Sequence, residues 1–186
     1  MCWRFGLALI LAGAPALGDP LTFVRAVPLV SDLPGFGGLS AIEMREPGRA
    51  ILLSDRGAAF TLTLARAQGQ YIVAPSTQPQ PHRDSEGLAY SADALFFSYE
   101  GPAQIVAQDG TALPTDPGFA TYSSNGSFEA LAADPDGVLY VLPERSGDIT
   151  RPFPIHRFRD GVWDIPAHLP RTGPFLTAGA DIGPDG

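Results

Sequence analysis

Short apolar runs alternate with turn-forming residues along most of this chain. In three segments an apolar strand, a turn and a second apolar strand end at an acidic residue. These segments are GLSAIEMREPGRAILLSD (38–55), EGLAYSADALFFSYE (86–100) and EALAADPDGVLYVLPE (129–144), and a fourth copy begins with GADIGPDG (179–186). Two apolar runs that flank an Asp-Gly turn predict a β-hairpin. No long segment after residue 18 has helical periodicity, so the pattern predicts an all-β chain.

The spacing of these copies predicts the architecture. Their leading apolar residues, Leu39, Leu88, Leu131 and Ile182, stand 49, 43 and 51 residues apart. A period of ~40 to 50 residues in an all-strand sequence is typical of a β-propeller with one blade per period. The third copy predicts four strands, at 129–133, 138–142, 155–159 and 162–165. We therefore predict a β-propeller of about three four-stranded blades plus the start of a fourth; a small closed barrel is the alternative.

The pattern also predicts that this propeller is incomplete. Propellers close with roughly four to eight blades, because each blade buries its faces against its neighbours. Pro184-Asp185-Gly186 occupies the turn position that Pro135-Asp136-Gly137 has in the third copy. We expect the sequence to stop within a hairpin, as a C-terminally truncated member of a larger architecture would.

The N-terminus and the charge indicate where the protein works. Residues 1–18 carry Arg4 ahead of a short apolar run that ends in small residues, which predicts a signal peptide followed by one domain over 19–186. Cys2 is the only cysteine and lies ahead of that run. We expect a periplasmic or secreted protein without a membrane span. The formal net charge of −8 makes nucleic acid a poor partner, and the oligomeric state is left open.

Acidic residues recur at matched ends of the predicted hairpins. Counting from the turns places Glu86 opposite Glu100 and Glu129 opposite Glu144. Propeller geometry gathers this end of every blade around one channel mouth. The acids predicted to meet there are Asp55, Glu86, Glu100, Glu129 and Glu144, with Asp181 at the start of the fourth copy.

Converging carboxylates predict a bound cation. Like charges repel unless a cation lies among them or some are protonated. Calcium takes six to eight oxygen ligands, so these six acids are its candidate ligands. Zinc and copper are disfavoured, because the domain lacks cysteine and its three histidines show no ligand spacing. The alternative is that the acids are solvated strand ends, with Asp55 and Glu144 neutralised locally by Arg56 and Arg145.

Three residues are candidates for catalysis. Glu86 and Glu129 stand at the start of the innermost strands, and His82, beside Arg83 and Asp84, is a candidate general base. His156 alternates with apolar residues on a predicted strand and is expected to be structural. No G-x-S-x-G nucleophile elbow is present.

A family resemblance covers nearly the whole chain after the signal peptide. The ordered motifs FGGLSAIE, LLSDRG, DSEGLAY, FFSYEG, NGSFEALA, LYVLPE and GADIGPDG resemble the bacterial phytase-like family, "esterase-like activity of phytase". The resemblance implies a secreted or periplasmic propeller that hydrolyses ester or phosphoester bonds of a small molecule. Two functions remain open: a calcium-assisted hydrolase, and a non-catalytic binding propeller with a structural cation.

Overall fold

A computed structural model of the chain describes residues 22–24, 26, 28–65, 70–76, 84–101, 103–122 and 125–183. The predicted signal peptide, Cys2, His82 and the turn at 184–186 lie outside the described residues. The chain divides into two units, Met1–Val30 and Ser31–Gly186. Every strand belongs to the second unit, and the described part of the first has no regular element.

The second unit consists of three antiparallel sheets in chain order. The first contains β1 (Leu39–Glu46), β2 (Arg49–Ser54), β3 (Ala59–Ala65) and β4 (Gln70–Pro75); the second contains β5 (Ser85–Ser91), β6 (Ala94–Tyr99) and β7 (Gln104–Ala107); the third contains β8 (Phe128–Ala133), β9 (Leu139–Pro143), β10 (Phe153–Arg159) and β11 (Val162–Leu169). In each sheet, neighbours in sequence are neighbours in space. The prediction of an all-β fold is confirmed, and the sheets begin where the repeats predicted. Each sheet is open, so the described residues do not form the small closed barrel.

The prediction of four strands in every repeat is wrong for the second sheet, which has three. After β7 the chain turns back at Gly110, and Leu113 N–H donates to the carbonyl oxygen of Ile105. Pro114 follows directly and has no N–H with which to extend this pairing. The chain then enters a 3₁₀ helix, Pro117–Thr121, the only helix in the described residues.

The described part of the fourth copy, residues 179–183, is not a strand. The hydroxyl of Thr177 nevertheless donates to the carbonyl oxygen of Pro143, the last residue of β9, across 2.5 Å. This contact holds the segment after β11 against the end of the third sheet.

Two apolar cores join the sheets face to face. The first contains Ile51 and Leu53 of β2 together with Leu88, Leu95 and Phe97 of the second sheet. The second core lies between the second and third sheets, around Ala89, Ile105, Phe119, Phe128, Leu131, Leu139 and Val141. The inner strands consequently lie in a row, β1 against β5 and β5 against β8.

Gly87 explains how closely the inner strands approach each other. A Cβ atom added at Gly87 would overlap Ser98 Oγ and would lie 2.9 Å from Leu131 Cβ on β8. Only glycine leaves room for that contact. The row of inner strands brings their matched ends together.

Candidate functional site

The matched ends of the inner hairpins share a β-bulge that the register prediction missed. The pairing shifts by one residue at Ser40 between β1 and β2, at Glu86 between β5 and β6, and at Glu129 between β8 and β9. Glu86 and Glu129 are therefore bulge residues, and neither lies directly opposite the acid that the turn count assigned to it. That prediction was wrong for two reasons. Between the turn and the bulge the strands already pair one residue away from the counted register, as Leu88 with Phe97 and Leu131 with Val141 show, and the bulge then adds one more residue.

The acid that follows the second strand of each hairpin is held in place by a backbone hydrogen bond. The N–H groups of Asp55, Glu100 and Glu144 donate to the carbonyl oxygens of Gly38, Asp84 and Ser127, at 2.9, 2.9 and 2.6 Å. Each carbonyl belongs to the residue two positions before the bulge. The bulge and the following acid thus form one repeated unit at the end of each inner hairpin.

Buried serines connect these units between sheets. Ser85 Oγ donates to the carbonyl oxygen of Ser54 at 3.2 Å, and Ser127 Oγ donates to that of Tyr99 at 3.2 Å. Ser98 Oγ donates in turn to the carbonyl oxygen of Phe128 at 2.9 Å. All three serines are fully buried. Because unpaired buried hydroxyl groups are costly, these bonds hold neighbouring sheets in one alignment.

The carboxyl groups of Glu86 and Glu129 have raised pKa values. Burial raises the pKa of Glu86 to about 7, and the negative charges of Glu129, Glu100, Asp55 and Asp84 add to the rise. Burial also raises the pKa of Glu129, with Glu144 and Glu100 contributing. The sequence prediction that these acids gather at one end of the sheets agrees with this mutual repulsion.

The remaining acids have partners. The carboxylate of Glu100 accepts a hydrogen bond from Gly126 N–H at 2.7 Å. Glu144 pairs with Arg145 at 2.9 Å, whereas Asp55 is 3.8 Å from Arg56. Among the described residues Glu86 and Glu129 have no hydrogen-bond or ion-pair partner. These two carboxyl groups differ in this respect from the other three acids of the cluster.

Asp181 lies elsewhere. Burial raises the pKa of Glu43, on β1, to about 7, and Asp181 is the acid whose charge adds to the rise. Asp181 is not among the acids that act on Glu86 or Glu129. Sequence reasoning did not single out Glu43; the signal available was an acid within the alternating pattern of an inner strand.

The donor set has the chemistry of a calcium site without its geometry. Carboxylate oxygens are the ligands that calcium prefers. Within the described ranges, however, no group of three or more Asp, Glu, His or Cys residues is close enough to hold a metal ion. The arrangement therefore brings together two carboxyl groups with raised pKa values, and no catalytic step is assigned to a metal.

His156 is structural, as predicted. Its ring is buried, Nε2 lies 2.6 Å from the hydroxyl oxygen of Tyr122, and Phe119 packs edge-on against it with 5.1 Å between ring centroids. Burial lowers the pKa of His156.

Comparison with known proteins identifies the family. No helix of the described residues is long and apolar enough to cross a membrane. No curated protein and no solved structure matches the chain. The model of the family Phytase-like, described as "Esterase-like activity of phytase", matches residues 34–170, which include all three sheets and the five gathered acids. The chain belongs to the Phytase-like family.

Proposed function

We propose that this chain is a hydrolase of ester or phosphoester bonds in which Glu86 transfers the proton. The observation that carries the proposal is the partnerless Glu86 carboxyl group with a pKa of about 7. A general acid or base works best when its pKa lies near the working pH, because both protonation states are then populated. The family to which the chain belongs supports hydrolysis as the reaction class.

The chemistry needs only water and the substrate. The Glu86 carboxylate accepts a proton from water as the water oxygen bonds to the acyl carbon or phosphorus. The bond to the leaving alcohol oxygen then breaks, and that oxygen receives the proton from Glu86. Glu129 lies in the equivalent bulge, and its charge helps to keep the pKa of Glu86 high.

We further propose that the three sheets are blades of a β-propeller in a periplasmic or secreted protein. The row of inner strands and the apolar cores between successive sheets support this arrangement. In a propeller the bulge ends would line one mouth of the channel, where binding residues commonly gather. His82, a few residues before β5, stays a candidate base on sequence grounds.

Turnover of generic substrates tests the hydrolase. We expect the purified chain to release p-nitrophenol from p-nitrophenyl acetate or p-nitrophenyl phosphate, and Glu86→Gln to lower kcat about 100-fold or more. The rate of the wild-type protein should depend on a group that titrates near pH 7. Glu46→Gln, at the exposed end of β1, is the matched control. A Glu86→Gln variant as active as the wild type would refute the assignment.

A non-catalytic binding protein with a structural calcium ion is the second candidate. The observation in its favour is the oxygen-only set of acids around Glu129, whose pKa is raised by burial and further by the charges of Glu144 and Glu100. A cation that binds only the folded state raises the melting temperature. We expect calcium to raise the melting temperature of the wild type more than that of Glu129→Gln, each compared with its own value in chelator. If calcium shifts the melting temperatures of the wild type and of Glu129→Gln equally, or shifts neither, the acids hold no structural calcium ion.

A further inference from the structure

A cavity of about 820 Å³ lies beside the third sheet, separate from Glu86 and Glu129. It is bounded by the loop between β9 and β10, the end of β11 and the end of the 3₁₀ helix. Its polar walls include Arg145, Arg151, His168, Tyr122 and Ser146. Cavities of ~300 to 1,000 Å³ commonly hold small molecules.

The loop that carries both arginines is organised by its own hydrogen bonds. Ser146 Oγ donates to the carbonyl oxygen of Arg151 at 2.7 Å, and Arg151 N–H donates to that of Asp148 at 3.1 Å. Asp148 Oδ1 accepts from both the N–H and the hydroxyl of Thr150, at 2.8 Å each. These bonds restrict the loop, which lowers the entropic cost that a ligand would bear on binding.

The lining of the cavity is cationic although the chain carries a net charge of −8. No carboxylate is among its described lining residues. Arg145 directs Nε to Glu144 Oε2 at 2.9 Å, which leaves its terminal nitrogens for another acceptor. Arg151 has no ion pair within 4.0 Å in the described part of the chain. Asp148 is the nearby counter-charge, and the bonds from Thr150 hold its pKa low.

Another part of the lining is uncharged. The hydroxyl of Tyr122 is 2.6 Å from Nε2 of buried His156. Phe128 packs against both rings, with centroids 5.6 Å from Tyr122 and 6.0 Å from His156. Burial raises the pKa of Tyr122 to about 12, so its hydroxyl stays neutral. Pro152, Pro154 and Ile165 add apolar residues to the lining.

We propose that this cavity binds the phosphate group of a small phosphorylated molecule, held by Arg145, Arg151 and His168. Guanidinium groups bind phosphate through paired hydrogen bonds, and the apolar wall leaves room for the organic part. Phosphate binding in this cavity requires no turnover, so it can be tested separately from the proposed hydrolase activity.

Calorimetric titration of the whole chain tests the site. We expect saturable binding of inorganic phosphate and at least equally tight binding of glycerol 2-phosphate, with no saturable binding of acetate. Arg151→Gln should weaken the affinity for phosphate about tenfold or more, as expected for lost charge-assisted hydrogen bonds. Arg49→Gln, which removes the same charge from the exposed start of β2, should bind within about twofold of the wild type.

His168→Gln is the second variant in case Arg151→Gln does not fold, and it too should weaken phosphate binding. Three results would overturn the site: acetate binding as tightly as phosphate, equal losses for Arg151→Gln and Arg49→Gln, or unchanged affinity in a folded cavity variant. Binding that persists in Glu86→Gln would support it, since Glu86 is no part of the cavity.

Discussion

The carboxylate of Glu100, after the second strand of the second sheet, accepts a hydrogen bond from the backbone N–H of Gly126 at 2.7 Å, just before the third sheet. The side-chain nitrogen of Asn125, when it is turned toward the same carboxylate, lies 3.1 and 3.2 Å from the two carboxylate oxygens of Glu100 and donates to them. The carboxylate of Glu100 therefore links two sheets, whereas that of Glu86 has no such bond in the described residues. Two acids at the same end of one hairpin therefore differ in their bonding.

Glu100→Ala should destabilise the protein. The variant leaves the buried Gly126 N–H without its acceptor, which costs about 1 to 3 kcal/mol of the free energy of unfolding. Urea unfolding measures the change. Glu46→Ala removes an exposed acid paired with Arg49 and should cost less than about 1 kcal/mol. Equal losses for the two variants would show that the Glu100–Gly126 bond does not stabilise the fold.

Gly87→Ala should disturb the packing between β5 and β8. The new methyl group would overlap Ser98 Oγ and approach Leu131 Cβ, and overpacking of this kind costs about 1 to 3 kcal/mol. Gly179→Ala is the matched control, because a Cβ atom there has no neighbour within 4 Å. We expect a lower urea midpoint for Gly87→Ala only. An unchanged midpoint would contradict the close approach of the inner strands.

Tyr122→Phe should weaken the aromatic cluster around His156. Loss of the hydroxyl leaves a buried ring nitrogen of His156 without its partner, at a cost of about 1 to 2 kcal/mol. Tyr90→Phe removes an exposed bond to Asp93 and should change stability by less than about 0.5 kcal/mol. If both variants unfold at the same urea concentration, the buried bond contributes no stability.

The sequence predicted the strands well because the signals for them are local. The Asp136-Gly137 and Asp160-Gly161 turns lie between strands whose bounds agree with the prediction within about two residues, except that β11 continues to Leu169, four residues beyond its predicted end. The gathering of acids at one end followed from the repeat. The missing fourth strand of the second sheet also has a local cause, the proline at position 114.

What the sequence did not predict depends on contacts between sheets. A bulge at Glu86 leaves no signature in the alternation of one strand, since it exists only relative to the partner strand. The role of the serines beside the acids likewise has no local signal, because Ser85 and Ser98 donate to backbone carbonyls of neighbouring sheets. The arginine-lined cavity joins residues from segments far apart in sequence, so no motif could have revealed it.

The raised pKa of Glu86 has a consequence for stability. The folded state holds this proton up to about pH 7, whereas the usual pKa of 4.5 describes the unfolded chain. Between these values the folded state binds more protons, so the free energy of unfolding falls as pH rises. The contribution is fully present below pH 4.5 and is lost through pH 7. Glu43, with the same raised pKa, acts in the same direction.

Glu86→Gln should therefore reduce the pH dependence of stability. From pH 5 to pH 8 the wild type should lose about 1 to 2 kcal/mol on account of Glu86, a figure reduced for solvent screening of a partly exposed group. The variant, neutral throughout, should lose correspondingly less and should be more stable than the wild type at pH 8. Glu43→Gln should show the same sign, and exposed Glu46→Gln should follow the wild type. Urea unfolding at the two pH values decides the matter: a Glu86→Gln variant with the wild-type pH dependence would mean that Glu86 ionises normally and cannot serve as the proton-transferring group.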